Sequence, residues 1–163
     1  MKRRILALML SVLLLSAIFT GCGGRTIYTD PDAYVIGEDI TVSADTMLHI
    51  ASIIESEGSD VNRPDRGHGF YIVRFRFTNN GNSVVELHEQ DFQAVVDGVI
   101  YRPIDGRMGF VPDKMPATQE VAPGETVSTR LVWMLPRGGN LLVLEFSPDF
   151  ADQDIRINMY TVD

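Results

Sequence analysis

The chain has 163 residues, a length that fits one domain, or one domain with an appendage, and that leaves no room for two. Its composition, 45% hydrophobic and 22% charged, is that of a folded protein and excludes global disorder. Acidic side chains outnumber basic ones 22 to 14, a net charge of −8 that repels phosphates and sets nucleic acid aside as a partner, and the single cysteine excludes an intramolecular disulfide or a cysteine-built metal site.

Lys2, Arg3 and Arg4 precede an uncharged run of mostly Leu, Ile, Ala, Val and Met from Ile5 to Phe19. A charged segment followed by an apolar one is the pattern of an export signal. As a helix the run spans only about 23 Å, short of the ~30 Å hydrocarbon core that a transmembrane helix crosses, so residues 1–21 are predicted to be a cleaved signal peptide. It ends in Phe19-Thr20-Gly21-Cys22-Gly23, which resembles the lipobox of bacterial lipoproteins, where a small residue precedes the cysteine that becomes diacylated. Phe19 stands where that motif usually has Leu, whereas Thr20, Gly21 and Cys22 stand where the motif needs them. The resemblance implies lipidation of Cys22 and an extracytoplasmic chain anchored to the bacterial cell membrane; the alternative is an ordinary secretory peptide whose free Cys22 is incidental. Cleavage before Cys22 would leave 11 basic against 22 acidic side chains, a net charge of −11. Two acyl chains hold better than one, since each buried methylene adds about 0.8 kcal/mol.

Residues 22–33 are the predicted lipidated, flexible tether: Gly23 to Asp32 reads GGRTIYTDPD, with no apolar period, and ten flexible residues have an end-to-end distance of roughly 17 Å. From Tyr34 short alternating apolar runs begin, so residues 34–163 are the predicted domain, free of internal repeats. Between Ile40 and Ile54, Ile40 and Val42 alternate while Met47, Ile50, Ala51 and Ile54 also fit helical spacing; a kinked strand is the favoured reading. Phe70 to Thr78 is the clearest strand, with Tyr71, Val73, Phe75 and Phe77 on one face and Ile72, Arg74 and Arg76 on the other. Thr78 to Asn82 predicts a turn cluster, since Asn and Gly tolerate the left-handed region. Ser83 to Leu87 resumes as strand. Phe92 to Val96 and Val99 to Ile104 flank Asp97-Gly98, the dipeptide of a type I′ hairpin turn. After the Pro123-Gly124 turn, Glu125 to Leu135 places Val127, Thr129, Leu131 and Trp133 on one face. Leu141 to Phe146 follows the turn from Arg137 to Asn140, and Ile155 to Met159 alternates Ile155, Ile157 and Met159 inward with Arg156 and Asn158 outward.

Seven or eight short strands separated by Gly, Pro and Asn turns predict an all-β chain, folded as an antiparallel immunoglobulin-like β-sandwich behind the lipoprotein signal. From about Ile40 to Met159 the order resembles the telokin-like, immunoglobulin-fold domain family of unknown function found on bacterial lipoproteins. The stretches that carry the resemblance are FYIVRFRFTNNGN, DFQAVVDG, VAPGETVSTRLVW and the final pair of apolar strands. It implies fold and cell-surface location and transfers no catalytic residue.

Chemistry-bearing residues are sparse. His49, His68 and His88 are isolated, without metal-ligand spacing, and no nucleophile motif accompanies any serine. Paired carboxylates converging from separate strands leave no trace in sequence and stay open. Asp149, Asp152 and Asp154 could offer oxygens to calcium, yet no turn glycine or bidentate Glu accompanies them, and an acidic solvated turn is the favoured reading. No cofactor is expected. The segment from Arg102 to Ala122 is long for a connection and holds Met108, Phe110 and Met115: either these face solvent as an adaptable partner contact, or, as is favoured, the segment plugs one end of the core. These features point to a lipid-anchored, non-catalytic binding or assembly module of the cell envelope and do not identify its partner, for which an envelope protein is the candidate. The alternatives on the same sandwich are a cell-envelope hydrolase and a small-ligand carrier.

Overall fold

The computed structural model describes residues 29–104 and 111–160. The signal peptide, Cys22, Met108 and Phe110 lie outside the described residues. Ten strands occur among them: β1 (Asp39–Ser43), β2 (Thr46–Ser56), β3 (His68–Asn79), β4 (Val85–His88), β5 (Phe92–Val96), β6 (Val99–Tyr101), β7 (Thr118–Val121), β8 (Thr126–Pro136), β9 (Leu142–Phe146) and β10 (Ile155–Asn158). They pair antiparallel into a β1-β2-β3-β8 sheet, a β10-β9-β5-β6 sheet and the small β4-β7 pair. The two four-stranded sheets face each other across the core, giving the all-β sandwich that the alternation predicts.

The strand count exceeds the expected seven or eight for two reasons. Thr118–Val121, embedded in the long connection, is itself a strand, and the segment from Ile40 to Ile54 is a hairpin rather than one kinked strand. Ile40 and Val42 on β1 and Leu48 and Ile50 on β2 all point inward and are fully buried. The pairing of β2 with β3 then shifts between Ile50 and Ser52, a bulge at Ala51 that turns Ile53 toward the core and leaves Ile54 exposed. Strand alternation broken by one extra residue imitates helical spacing, which explains the double reading of this stretch.

On β3, Tyr71, Val73, Phe75 and Phe77 are buried while Arg74 and Arg76 are exposed. Aromatic rings fill the space between the sheets: Phe75 lies 4.9 Å from Phe92, Phe92 stacks on Phe146 at 4.3 Å, and Phe77 meets Phe146 edge-on at 6.4 Å. Thr129, Leu131, Trp133 and Leu135 of β8 complete the inner face. The opposite face of the β1-β2-β3-β8 sheet is not uniformly polar, because Phe70, Val132 and Val111 form a second, smaller buried cluster flanked by Ile72, Ile104 and Met134.

The turns follow their residues. Asp97 and Gly98 have φ of 49° and 85°, the positive values that a two-residue hairpin demands, and the Asp97 carboxylate accepts the backbone N–H groups of Asn140 and Leu141, each at 3.0 Å. The turn after β3 works differently from expectation, since none of Asn79 to Asn82 takes a positive φ. Asn79 is instead 1% exposed, and its side-chain amide donates to the carbonyls of Ser83 (2.7 Å) and Val121 (3.0 Å) while its oxygen accepts from Gly81 N–H (2.9 Å).

Sheet edges are covered by chain from outside the named strands, which blunts the pairing hazard of open edges. Tyr34 runs parallel to β10, giving its N–H to Arg156 (2.8 Å) and accepting from Asn158 (2.9 Å). Asn158 is therefore buried, contrary to its outward assignment: its side chain exchanges 2.9 Å hydrogen bonds with the backbone of Asp30 in both directions, and Arg156 pairs with the Asp30 carboxylate. The docked chain thus begins at Asp30, inside the segment read as tether. On the far side, Ile104 N–H donates to Val132 and Met115 N–H to Arg130, both at 2.8 Å, so the long connection closes the edge of β8.

Candidate functional site

The Arg102 to Ala122 segment has mainly a structural role where it is described. Met115 is 1% exposed and belongs to the main core, and Val111 packs on Phe70 and Val132. Met115 is therefore not a partner contact: the backbone bonds that seal β8 pull its side chain between the sheets. This is the plugging arrangement.

At its base the segment forms one wall of a cleft of about 560 Å³ lined by His88, Glu89, Gln90, Arg102, Pro103, Ala117 and Thr118. The cleft exists because β4 runs into a 3-10 turn, Glu89–Asp91, closed by the His88 N–H, which donates to the Asp91 carboxylate at 2.8 Å. Burial pushes the Asp91 carboxyl up, against the pull of that N–H and of His88, and the nearby Asp149 charge adds to the rise. The His88 ring bonds Thr118 Oγ1 through Nδ1 (3.1 Å), with Glu86 3.8 Å from Nε2. Lys114 and Glu89 form a 3.0 Å pair that is mostly covered, and Arg102 donates to the Gln90 carbonyl at 2.8 Å. Each charged group is already bonded within the protein, so the cleft offers a firm, mixed polar and apolar surface for recognition. Sequence reasoning missed it, since Lys114 and Glu89 are far apart along the chain.

A second cleft, of about 660 Å³, opens at one end of the sandwich between Arg137 and the loop from Glu57 to His68. Arg137 bridges Glu55 (3.0 Å) and Glu57 (2.6 Å), tying β2 to the turn after β8. Nearby, burial, then Glu55 and Tyr160, push the Tyr71 phenol up from 10.0 to about 12. A raised phenol stabilises the fold fully below about pH 10 and loses that contribution as pH climbs through about 12. An alkaline absorbance titration should show one of the five tyrosines ionising late. Between about pH 10 and 12 the stability of the protein relative to Tyr71→Phe should fall by about 2 to 3 kcal/mol, and parallel pH profiles for the two proteins would contradict this assignment.

The remaining sequence candidates stay apart. His49 bonds Asp39 at 2.8 Å and His68 sits 3.4 Å from the Arg66 carbonyl. Among the described residues no three His, Cys, Asp or Glu side chains stand close enough to hold a metal, and Asp149, Asp152 and Asp154 do not converge. The Asp152 N–H instead donates to Val42, fastening that loop to β1. Among the same residues no helix is long and apolar enough to cross a membrane.

A protein family described as a domain of unknown function (DUF4352) matches residues 34–156. No curated protein matches the chain. Among solved structures, the yjhA protein of Bacillus subtilis superposes with a TM-score of 0.61 at 15% identity, over 78% of this chain and 99% of that one. A "putative lipoprotein" of the same organism, ycdA, gives 0.58 at 14% identity over 72% of this chain and 38% of its own. The secreted protein MPT63 of Mycobacterium tuberculosis gives 0.53 at 12% identity, over 83% and 99% respectively. At these identities the likeness is one of fold.

Proposed function

Because the chain belongs to the DUF4352 family, whose domain has no assigned activity, its role has to be argued from the residues, and we propose that it is a lipid-anchored, extracytoplasmic, non-catalytic binding or assembly module of the bacterial cell envelope. The observation that carries this reading is Thr20-Gly21-Cys22 at the end of the apolar run, eight residues ahead of the point where Asp30 docks on β10. An export signal followed at once by an acylatable cysteine, a short connection and a rigid sandwich is the layout of a domain held at a membrane surface. The names of two proteins of like fold, one a "putative lipoprotein" and one secreted, agree with an extracytoplasmic place.

The module reading draws on the cleft beside β4, where the two ends of the long connection are bonded to β8 and to Glu89, so little ordering entropy is lost when a partner docks. An envelope protein is the proposed partner, with Arg102 at the rim as a contact.

Cys22→Ser should abolish labelling by a fatty-acid analogue and release the protein from the membrane fraction. Labelling of the variant as strong as that of the unaltered chain would defeat the anchor. For the cleft, Arg102→Glu should lower the stability by no more than about the 1 kcal/mol of the lost hydrogen bond to the Gln90 carbonyl, while removing the partner crosslinked in intact cells. An undiminished crosslink would move the contact surface elsewhere.

A further inference from the structure

The outer face of the β1-β2-β3-β8 sheet carries Arg74 and Arg76, which no hydrogen bond or ion pair engages among the described residues, beside Arg130, whose guanidinium donates to the Pro112 carbonyl at 2.6 Å. Arg74 and Arg76, two residues apart on β3, project from the same face. Arg74 stands directly opposite Arg130 on β8, and Arg76 opposite His49 on β2. Like charges facing each other on adjacent strands, with β-carbons about 5 Å apart, destabilise a sheet unless acids stand between them. Here the acids lie at the margins: Asp39 is engaged by His49 at 2.8 Å, and Asp113, 78% exposed, is 3.9 Å from Arg130. The other residues paired with Arg74 and Arg76 are Ser52 and Ser128, and among the described residues no carboxylate pairs with either arginine. A small dent on this face is lined by Arg74, Arg130, Asp113, Ser128 and Thr129.

We propose that this face docks on the anionic phosphate surface of the membrane that holds the chain, with Arg74, Arg76 and Arg130 meeting lipid phosphates. This rests on the reading of Cys22 as the anchor. Charge complementarity argues for it, because a chain of net charge −8 carries Arg74 and Arg76 on one sheet face without an acidic partner among the described residues. Chain length argues for it independently. From Cys22 to Asp30 the backbone reaches at most about 28 Å, and Asp30 is fastened to β10 by Asn158 and Arg156. The bond from Asp152 to Val42 sets the loop before β10 against β1, the edge strand of this sheet. The domain's remaining negative charge does not forbid the contact, since at physiological salt fields decay over about 8 Å and only the facing charges count. Anchoring also makes docking intramolecular, so a patch too weak to recruit a free domain can orient a tethered one.

The test uses the processed, lipid-bearing chain in vesicles of phosphatidylcholine, with or without about one-third phosphatidylglycerol, and follows phenylglyoxal modification of each arginine by peptide mass spectrometry. Each arginine near an anionic surface contributes roughly fivefold in binding, so modification of Arg74, Arg76 and Arg130 should slow at least fivefold in the anionic vesicles. Arg63 and Arg66, on the end loop, should be unchanged, and the protection should vanish in 1 M salt, where screening acts within about 3 Å. Equal rates in both vesicles would overturn the proposal while leaving the anchor intact. Protection in phosphatidylcholine alone would overturn it in favour of a second copy of the chain, and protection by inorganic phosphate without vesicles in favour of a soluble anion. A chain that sediments with neither vesicle would overturn anchor and docking face together.

Discussion

Phe75→Ala lowers the free energy of unfolding by about 3 to 5 kcal/mol, because it removes a fully buried ring and leaves a cavity in a packed interior. The ring is also the link between the sheets: Phe75 of β3 meets Phe92 of β5, and Phe92 stacks on Phe146 of β9, so its loss forfeits an aromatic contact beyond the buried area. Arg74, the next residue along the strand, is exposed and faces Arg130, so Arg74→Ala stays within about 0.5 kcal/mol and leans toward stabilising. Urea melts of the two variants decide the matter, with a shifted midpoint at unchanged slope for Phe75→Ala. Equal destabilisation would mean that the faces of β3 are wrongly assigned.

Asn79→Ala costs about 1 to 4 kcal/mol, although it removes only a small polar side chain. Its amide serves the Val121 carbonyl at a buried contact and the Ser83 carbonyl at a partly buried one, and a buried acceptor left without a donor costs about 1 to 3 kcal/mol. The backbone of Asn79 adds two ties to the neighbouring turn, accepting from Gly124 at 2.7 Å and donating to Glu125 at 2.9 Å. Asn79→Asp is the sharper probe. It keeps an acceptor for Gly81 but sets a carboxylate against two carbonyls, so it should be at least as damaging as Asn79→Ala at neutral pH. An Asn79→Asp protein as stable as the parent in urea would remove this side chain from its structural role.

These two residues differ in how far they could be read in advance. Phe75 belongs to a strand whose side chains alternate with a period of two, and that period survives in the sequence because one face meets the core and the other meets water. The Asp97-Gly98 turn was legible for a related reason: positive φ at both positions is a local steric demand that few residue pairs meet. Asn79 read as a turn residue, but for a reason the structure does not use, since its role depends on the Val121 carbonyl brought to it by folding. The hairpin from β1 to β2 was obscured by the bulge at Ala51, which breaks the alternation that would have identified both strands.

What the residues determined alone is therefore the class of fold and the inward faces of the main strands. These depend on contacts near in sequence or on solvent sorting polar from apolar side chains. The tertiary structure alone decided that Met115 enters the core, that Asn158 is buried against Asp30, that Glu89 meets Lys114, and that Arg74 faces Arg130. Each of those follows from which strands become neighbours. That pairing is a property of the whole chain, because a strand edge can be closed by any segment able to reach it, and no local pattern names which one does.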